Sequence, residues 1–212
     1  MAERARQRQI PLLIASVLLC LWTVVAASGA SRTPNLIPLP VACETRDGSF
    51  VITPATRIVA EGDVAGAEAA KLIESLSPAM GFRLAQADAA SATEQSIRLR
   101  IDPSLKDRLG DEGYALDVTP TSIEIRAAAS AGLFYGGQTL RQLLPPEILR
   151  AEKVDGVRWL VPCVRIADSP RFVWRGLLID PARHFIPVAD FKRFIDVMTL
   201  HKFNRLQVHF TD

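Results

Sequence analysis

Hydrophobic positions along the chain fall into three successive patterns. The first is a continuous apolar run, Leu12 to Val25, of about 14 residues. Beyond it the pattern becomes periodic. Ser49–Ile52 and Arg57–Ala60 predict short strands either side of Thr53-Pro54, after an extended Pro-rich lead-in over 31–48. Ala65, Ala69, Leu72, Ile73 and Leu76 recur at helical spacing, with Asp63 placed to cap the start and Pro78 and Gly81 to end it. Residues 85–96 are Ala/Ser/Gln-rich and predict a loop. Alternation returns at Ile97-Arg-Leu-Arg-Ile101. It recurs at Tyr114, Leu116 and Val118 and, across Thr119-Pro-Thr-Ser122, at Ile123 and Ile125, the mark of a hairpin. Ser130 then stands ready to cap a helix whose face carries Leu133, Gly137, Leu140 and Leu144, stopped by Pro145-Pro146. Strands with one apolar face, interspersed with two amphipathic helices, predict an α+β domain: an antiparallel sheet with helices on one face.

The third pattern follows a connector over 151–170, in which Trp159–Ile166 reads as a strand and Asp168-Ser-Pro170 as a break. Leu177-Leu178-Ile179 is an uninterrupted apolar run inside Arg175–Asp180, the pattern of a strand buried on both faces. A helix with Phe191, Phe194, Ile195 and Met198 on one face comes next, with His201-Lys202 as cations at its C-terminal end, then a strand over Arg205–Phe210. Strand–helix–strand at this spacing is a βαβ unit with parallel strands. Two parallel strands and one helix cannot enclose a core, so the unit reads as the opening of a longer α/β domain. Arg175 at one end of its strand and Asp180, Arg183 and His184 at the other are costly charges unless they meet a ligand or one another. A structural Arg–Asp pair and a ligand site both account for them. In the last strand Leu206, Val208 and Phe210 share one face, and Gln207 and His209 the other.

Charge and cysteine usage narrow the function classes. Arg4, Arg6 and Arg8 precede the first apolar run and Ala26-Ala-Ser-Gly-Ala30 follows it, so residues 1–30 have the form of a secretory signal. The run is short of the ~20 residues a spanning helix needs, so no stable membrane insertion is expected after cleavage. Removal of three Arg and one Glu with that segment takes the net charge from +2 to zero. A neutral chain without a basic run offers nucleic acid no electrostatic handle. Cys43 and Cys163 remain, and export permits either a disulfide or two free thiols. No Cys/His spacing fits zinc, and Gly132, Gly136 and Gly137 lack the lysine of a phosphate loop. No metal or cofactor is expected.

Three stretches carry a resemblance. Ala131-Gly-Leu-Phe-Tyr-Gly-Gly-Gln-Thr-Leu-Arg-Gln-Leu-Leu-Pro145, Asp168-Ser-Pro-Arg-Phe-Val-Trp-Arg-Gly-Leu-Leu-Ile-Asp-Pro-Ala-Arg-His-Phe185 and Lys202-Phe-Asn-Arg-Leu-Gln-Val-His-Phe-Thr-Asp212 resemble, in order, segments of the bacterial β-N-acetylhexosaminidases of glycoside hydrolase family 20. After the signal at 1–30, the resemblance implies the family's N-terminal α+β domain over 31–165, and over 166–212 the first βαβ unit of a truncated (β/α)8 TIM barrel. It implies an exported enzyme that removes terminal β-linked N-acetylglucosamine or N-acetylgalactosamine from glycans with retention, using the substrate's own acetamido oxygen as nucleophile. The family's catalytic Asp-Glu pair would lie beyond Asp212, so the chain alone is expected to be inactive. By resemblance Arg175 and Asp212 would bind the sugar, while Asp180, Arg183 and His184, which fall in the family's motif, would frame the site; His209 joins them by the parity of its strand. Ala182 and Gln207 depart from the family's usual residues. A non-catalytic glycan-binding or structural module is the alternative.

Overall fold

The computed structural model describes residues 34–87 and 94–211. The signal expected at 1–30, half of the loop expected over 85–96, and Asp212 lie outside the described residues. No helix among the described residues is long and apolar enough to cross a membrane.

Seven strands form the main sheet: β1 (Ala42–Val51), β2 (Arg57–Glu61), β3 (Ala85–Ala87), β4 (Ser96–Ile101), β5 (Tyr114–Val118), β6 (Ser122–Ala127) and β7 (Leu160–Asp168). Their spatial order is β1-β7-β5-β6-β4-β2-β3. The expected antiparallel sheet is in fact mixed. β1, β7, β5 and β6 pair antiparallel, whereas β6, β4, β2 and β3 pair parallel. Alternation in sequence reports which face of a strand is apolar, but the connection sets its direction. Helix α1 (Gly62–Met80) lies between β2 and β4 and returns the chain to run the same way. The hairpin forms as its residues predict, with Val118 opposite Ile123 and Thr119 N–H donating to the Ser122 carbonyl at 2.8 Å.

Several boundaries move. β1 already begins inside the expected lead-in, and Ala85–Ala87 makes an edge strand where a loop was expected. Asp63 lies in the first turn of α1, whose N-cap, Glu61, makes no side-chain cap. Gly81 closes α1 in the left-handed conformation, at φ 70°. After the short α2 (Lys106–Leu109) comes α3 (Ser130–Leu143), whose N-cap position is Ala129 and has no side-chain cap; the Ser130 hydroxyl donates to Glu68 of α1 instead.

Helices α1 and α3 cover one face of the sheet. Beneath them Ile58, Ile97, Leu99, Leu116, Ile123 and Ile125 meet Leu76, Leu133 and Leu140 in a closed core. Each such side chain contributes about 1.5–3 kcal/mol by leaving water. The glycines of α3 serve this packing: a Cβ at Gly136 would lie 2.5 Å from Ile125 Cγ2, and one at Gly132 would strike the Gly113 carbonyl. The opposite face carries charge, with Arg100 on Glu124 at 3.1 Å and Arg126 on Asp102 at 3.4 Å. Cys43 and Cys163 are free thiols, both raised above the ordinary cysteine value by burial.

The βαβ unit forms as expected. β8 (Gly176–Ile179) and β9 (Arg205–Val208) pair parallel, Gly176 opposite Arg205 and Ile179 opposite Val208, with α4 (Val188–Leu200) between them. β8 is not buried on both faces: Ile179 is 8% exposed, but Leu177 is 37% and Leu178 56% exposed. Its partner strand is β9, and α4 turns Met198 inward while Ile195 stays 39% exposed.

Candidate functional site

The two ends of β8 hold different kinds of polar structure. At its carboxyl end the ladder continues one step past the strands, His209 N–H donating to the Ile179 carbonyl at 3.0 Å. Asp180 then organises the turn. Its Oδ1 accepts from the Arg183 backbone N–H at 3.1 Å and from His209 Nδ1 at 3.1 Å, and its Oδ2 accepts from Arg183 Nη1 at 2.8 Å. The Arg183 N–H first, and then the side chains of Arg183 and His209, hold the Asp180 carboxyl below its ordinary value against the opposing effect of burial. Pro181 and Ala182 make the short link that lets an aspartate accept from the N–H three residues on, an Asx-type arrangement. Asp180 and His209 are about three-quarters buried, whereas the Arg183 side chain is 67% exposed. His184 is exposed beside them. Asp180, Arg183 and His209, expected on sequence grounds to frame the site, thus form one cluster.

Arg175 sits at the amino end of β8, ~17 Å from Asp180 at ~3.3 Å per residue. Its guanidinium is engaged by protein: Nη1 donates to Glu112 Oε2 at 2.8 Å and to the Phe172 carbonyl at 2.7 Å, and Nε donates to the Lys202 carbonyl at 2.8 Å. The Tyr135 ring lies against it, 5.4 Å from centroid to guanidinium carbon. Asn204 closes the group, accepting from Arg175 N–H at 3.0 Å and donating to Glu112 Oε1 at 3.1 Å. Burial pushes the Glu112 carboxyl up, but the hydrogen bonds from Arg175 and Asn204 and the nearby positive charges outweigh it, leaving it below its ordinary value. Asp111-Glu112 is an adjacent Asp-Glu pair, yet a general acid needs a raised pKa and an open partner, and Glu112 has neither. The expected sugar contact of Arg175 therefore meets a guanidinium tied to Glu112 at the end of the strand away from Asp180.

A second network lies beside the first. Lys202, 6% exposed, donates from Nζ to Asp168 Oδ2 at 2.8 Å and to the Tyr114 hydroxyl at 2.8 Å. Tyr114 donates in turn to Asp168 Oδ2 at 3.0 Å and lies 2.6 Å from the Thr139 hydroxyl. Burial pushes Lys202 down more than the Asp168 charge pushes it up. Burial, and then the Asp168 charge, push the Tyr114 phenol well up. A cavity of about 390 Å³ lies here between sheet and β8, with Arg175 and Lys202 in its wall. Sequence patterning missed Glu112, Tyr114, Asp168 and Lys202 as a polar junction. Lys202, expected only as a cation at the C-terminal end of α4, follows the C-cap His201 with a positive φ of 62°.

Residues 33–169 match the domain described as glycosyl hydrolase family 20, domain 2, and residues 172–212 match the glycosyl hydrolase family 20 catalytic domain. The chain belongs to glycosyl hydrolase family 20. It is 38% identical over 183 residues to a beta-N-acetylhexosaminidase of Cellulomonas fimi, an alignment covering 84% of this chain and 34% of that protein. With a beta-hexosaminidase of Akkermansia muciniphila it shares 42% identity over 120 residues, 57% of this chain and 23% of the relative. Among solved structures, the N-acetyl-beta-hexosaminidase of Streptomyces plicatus in complex with Thio-NAglucal superposes with a TM-score of 0.72 at 39% identity, covering 82% of this chain and 34% of that one. This family 20 chain thus spans about a quarter to a third of the length of these relatives. Its mixed sheet with helices is followed by the start of the barrel domain.

Proposed function

We propose that this family 20 chain is the front portion of an exported exo-β-N-acetylhexosaminidase, and that its share of the reaction is to hold the terminal sugar. The observation that carries this is the Asp180–Arg183–His209 cluster, at the carboxyl ends of parallel strands inside the segment that matches the catalytic domain. Barrel enzymes gather their chemistry at those ends. Arg183, steadied by Asp180 and exposed, offers a planar fork suited to paired hydroxyls of a sugar. Asp212, a few residues past β9, would join it. Arg175 acts as a strut that ties the barrel strand to Glu112.

In this reading the acetamido oxygen of the substrate attacks the anomeric carbon as a glutamic acid protonates the leaving oxygen, and a neighbouring aspartate steadies the developing oxazolinium. The Asp-Glu pair for those steps would be encoded downstream. The test has two arms. Extending the coding sequence past Asp212 is expected to reveal an adjacent Asp-Glu within ~100–200 residues, a barrel-length span, and the extended protein to release chromophore from an aryl N-acetylglucosaminide. The 212-residue chain alone is expected to release none. Turnover by the chain alone, or a downstream sequence lacking the pair, overturns the proposal. Export is checked by N-terminal sequencing of protein recovered outside the cytoplasm, with a new terminus expected near residue 31.

A further inference from the structure

Away from the strand ends, α1, α3 and α4 line an open cavity of about 160 Å³. Two groups on its wall stand out. Glu68 is 4% exposed, and its Oε1 is engaged by Ser130 at 2.6 Å and Lys71 at 2.8 Å, but its buried Oε2 has no partner. Arg141 gives Nη1 to Gln138 at 2.9 Å, while its Nε–H is likewise buried and unpartnered. One orphan is an acceptor and the other a donor, and both belong to residues lining the same space. Buried polar atoms in native proteins are nearly always satisfied by protein, water or ligand, so a complementary pair of orphans on residues that share one cavity wall points to a guest.

The wall also limits what that guest is. Glu68 and Asp196 set two negative groups against two positive ones, Lys71 and Arg141, so the lining favours neither a cation nor an anion. Leu72, Leu133 and Phe134 supply an apolar side. The space is many times the ~10–15 Å³ that admits a single water on a comparable measure. A neutral molecule with hydroxyls that both donate and accept, and a C–H face for the apolar side, satisfies each requirement. We infer that the cavity between α1, α3 and α4 is a second, non-catalytic site for a small neutral polyol of monosaccharide size, with Glu68 and Arg141 as its polar anchors. Because Asp196 and Thr199 of α4 share the wall, an occupied site would also brace the barrel helix against the sheet domain.

Calorimetric titration of the full chain with D-glucose, myo-inositol and N-acetylglucosamine tests this, with chitotriose as a probe for a glycan end and sodium acetate and ammonium chloride as ionic controls. Saturable binding of at least one free polyol in the millimolar range is expected, with no saturable heat from the ions. Glu68→Gln should weaken it tenfold or more, as loss of a charge-assisted hydrogen bond does. Gly137→Ala should weaken it too, by placing a methyl in the space; that Cβ meets only Leu72 Cδ1 at an ordinary 3.6 Å, so the fold tolerates it. Chitotriose binding that depends on Glu68 assigns the site to glycan ends, and its absence assigns it to free sugars. The inference is overturned if no polyol saturates, if an ion binds in place of the polyols, or if both variants bind like the wild type. Sugar binding that is lost in Arg183→Ala but unchanged in Glu68→Gln would place the sugar at the barrel end and equally overturn it.

Discussion

Lys202 Nζ and Asp168 Oδ2 lie 2.8 Å apart with both side chains at least nine-tenths buried, one following the barrel helix and the other ending β7, the strand beside the sheet edge. The Tyr114 hydroxyl bonds to both. The pair therefore ties the βαβ unit to the sheet domain through a buried charge contact.

Removing one partner of such a pair leaves the other buried and unpaired. Lys202→Met is expected to cost about 3–5 kcal/mol, read as a fall in the urea midpoint without loss of helical signal at low urea. A change under ~1 kcal/mol would mean that the junction is wet and the pair contributes little.

The two arginines on either side of β8 should separate stability from binding. Arg175→Ala strips Glu112 of its charged partner and frees the Lys202 and Phe172 carbonyls, at a cost of about 2–3 kcal/mol in chemical denaturation. Arg183→Ala, at an exposed position, is expected to shift stability by no more than ~0.5 kcal/mol. In the extended enzyme it should raise KM for an aryl N-acetylglucosaminide. The reverse pattern would return Arg175 to the sugar.

Acid should loosen the Glu112–Arg175 contact. The Glu112 carboxyl is lower in the folded chain than its ordinary value of 4.5, so the unfolded chain binds the proton first as pH falls. The stabilisation it supplies is then fully present above pH 4.5 and is lost as pH drops through the folded value. Unfolding midpoints of wild type and Glu112→Gln should differ at neutral pH and converge in acid, and parallel curves would contradict this.

Two glycines of α3, Gly132 and Gly137, should answer alanine in opposite ways. At Gly132 a Cβ strikes the Gly113 carbonyl and comes within 2.6 Å of Ala127 Cβ, so overpacking of about 1–3 kcal/mol outweighs the gain in helix propensity. At Gly137 the Cβ has room, and the propensity gain of about 1 kcal/mol should appear as a higher melting temperature. Equal effects at both sites would refute the packing role assigned to Gly132.

Read without coordinates, the chain yields its apolar faces, because side chains repeat every 2 residues in a strand and every 3.6 in a helix. Ile97, Leu99, Ile123 and Ile125 point inward as their alternation requires, and Gly81 ends α1 as its missing Cβ allows. The βαβ order of the last segment was legible in the same way, and so was the grouping of Asp180 with Arg183, three positions apart. Strand direction was not, because alternation is identical for parallel and antiparallel partners, and so a mixed sheet replaced the antiparallel one. Nor could periodicity show that Lys202 is buried: its partners Asp168 and Tyr114 are 34 and 88 positions away, and burial of a cation depends on neighbours that arrive only on folding. The same holds for Arg175, whose Glu112 partner lies 63 positions back and is brought beside it only by folding.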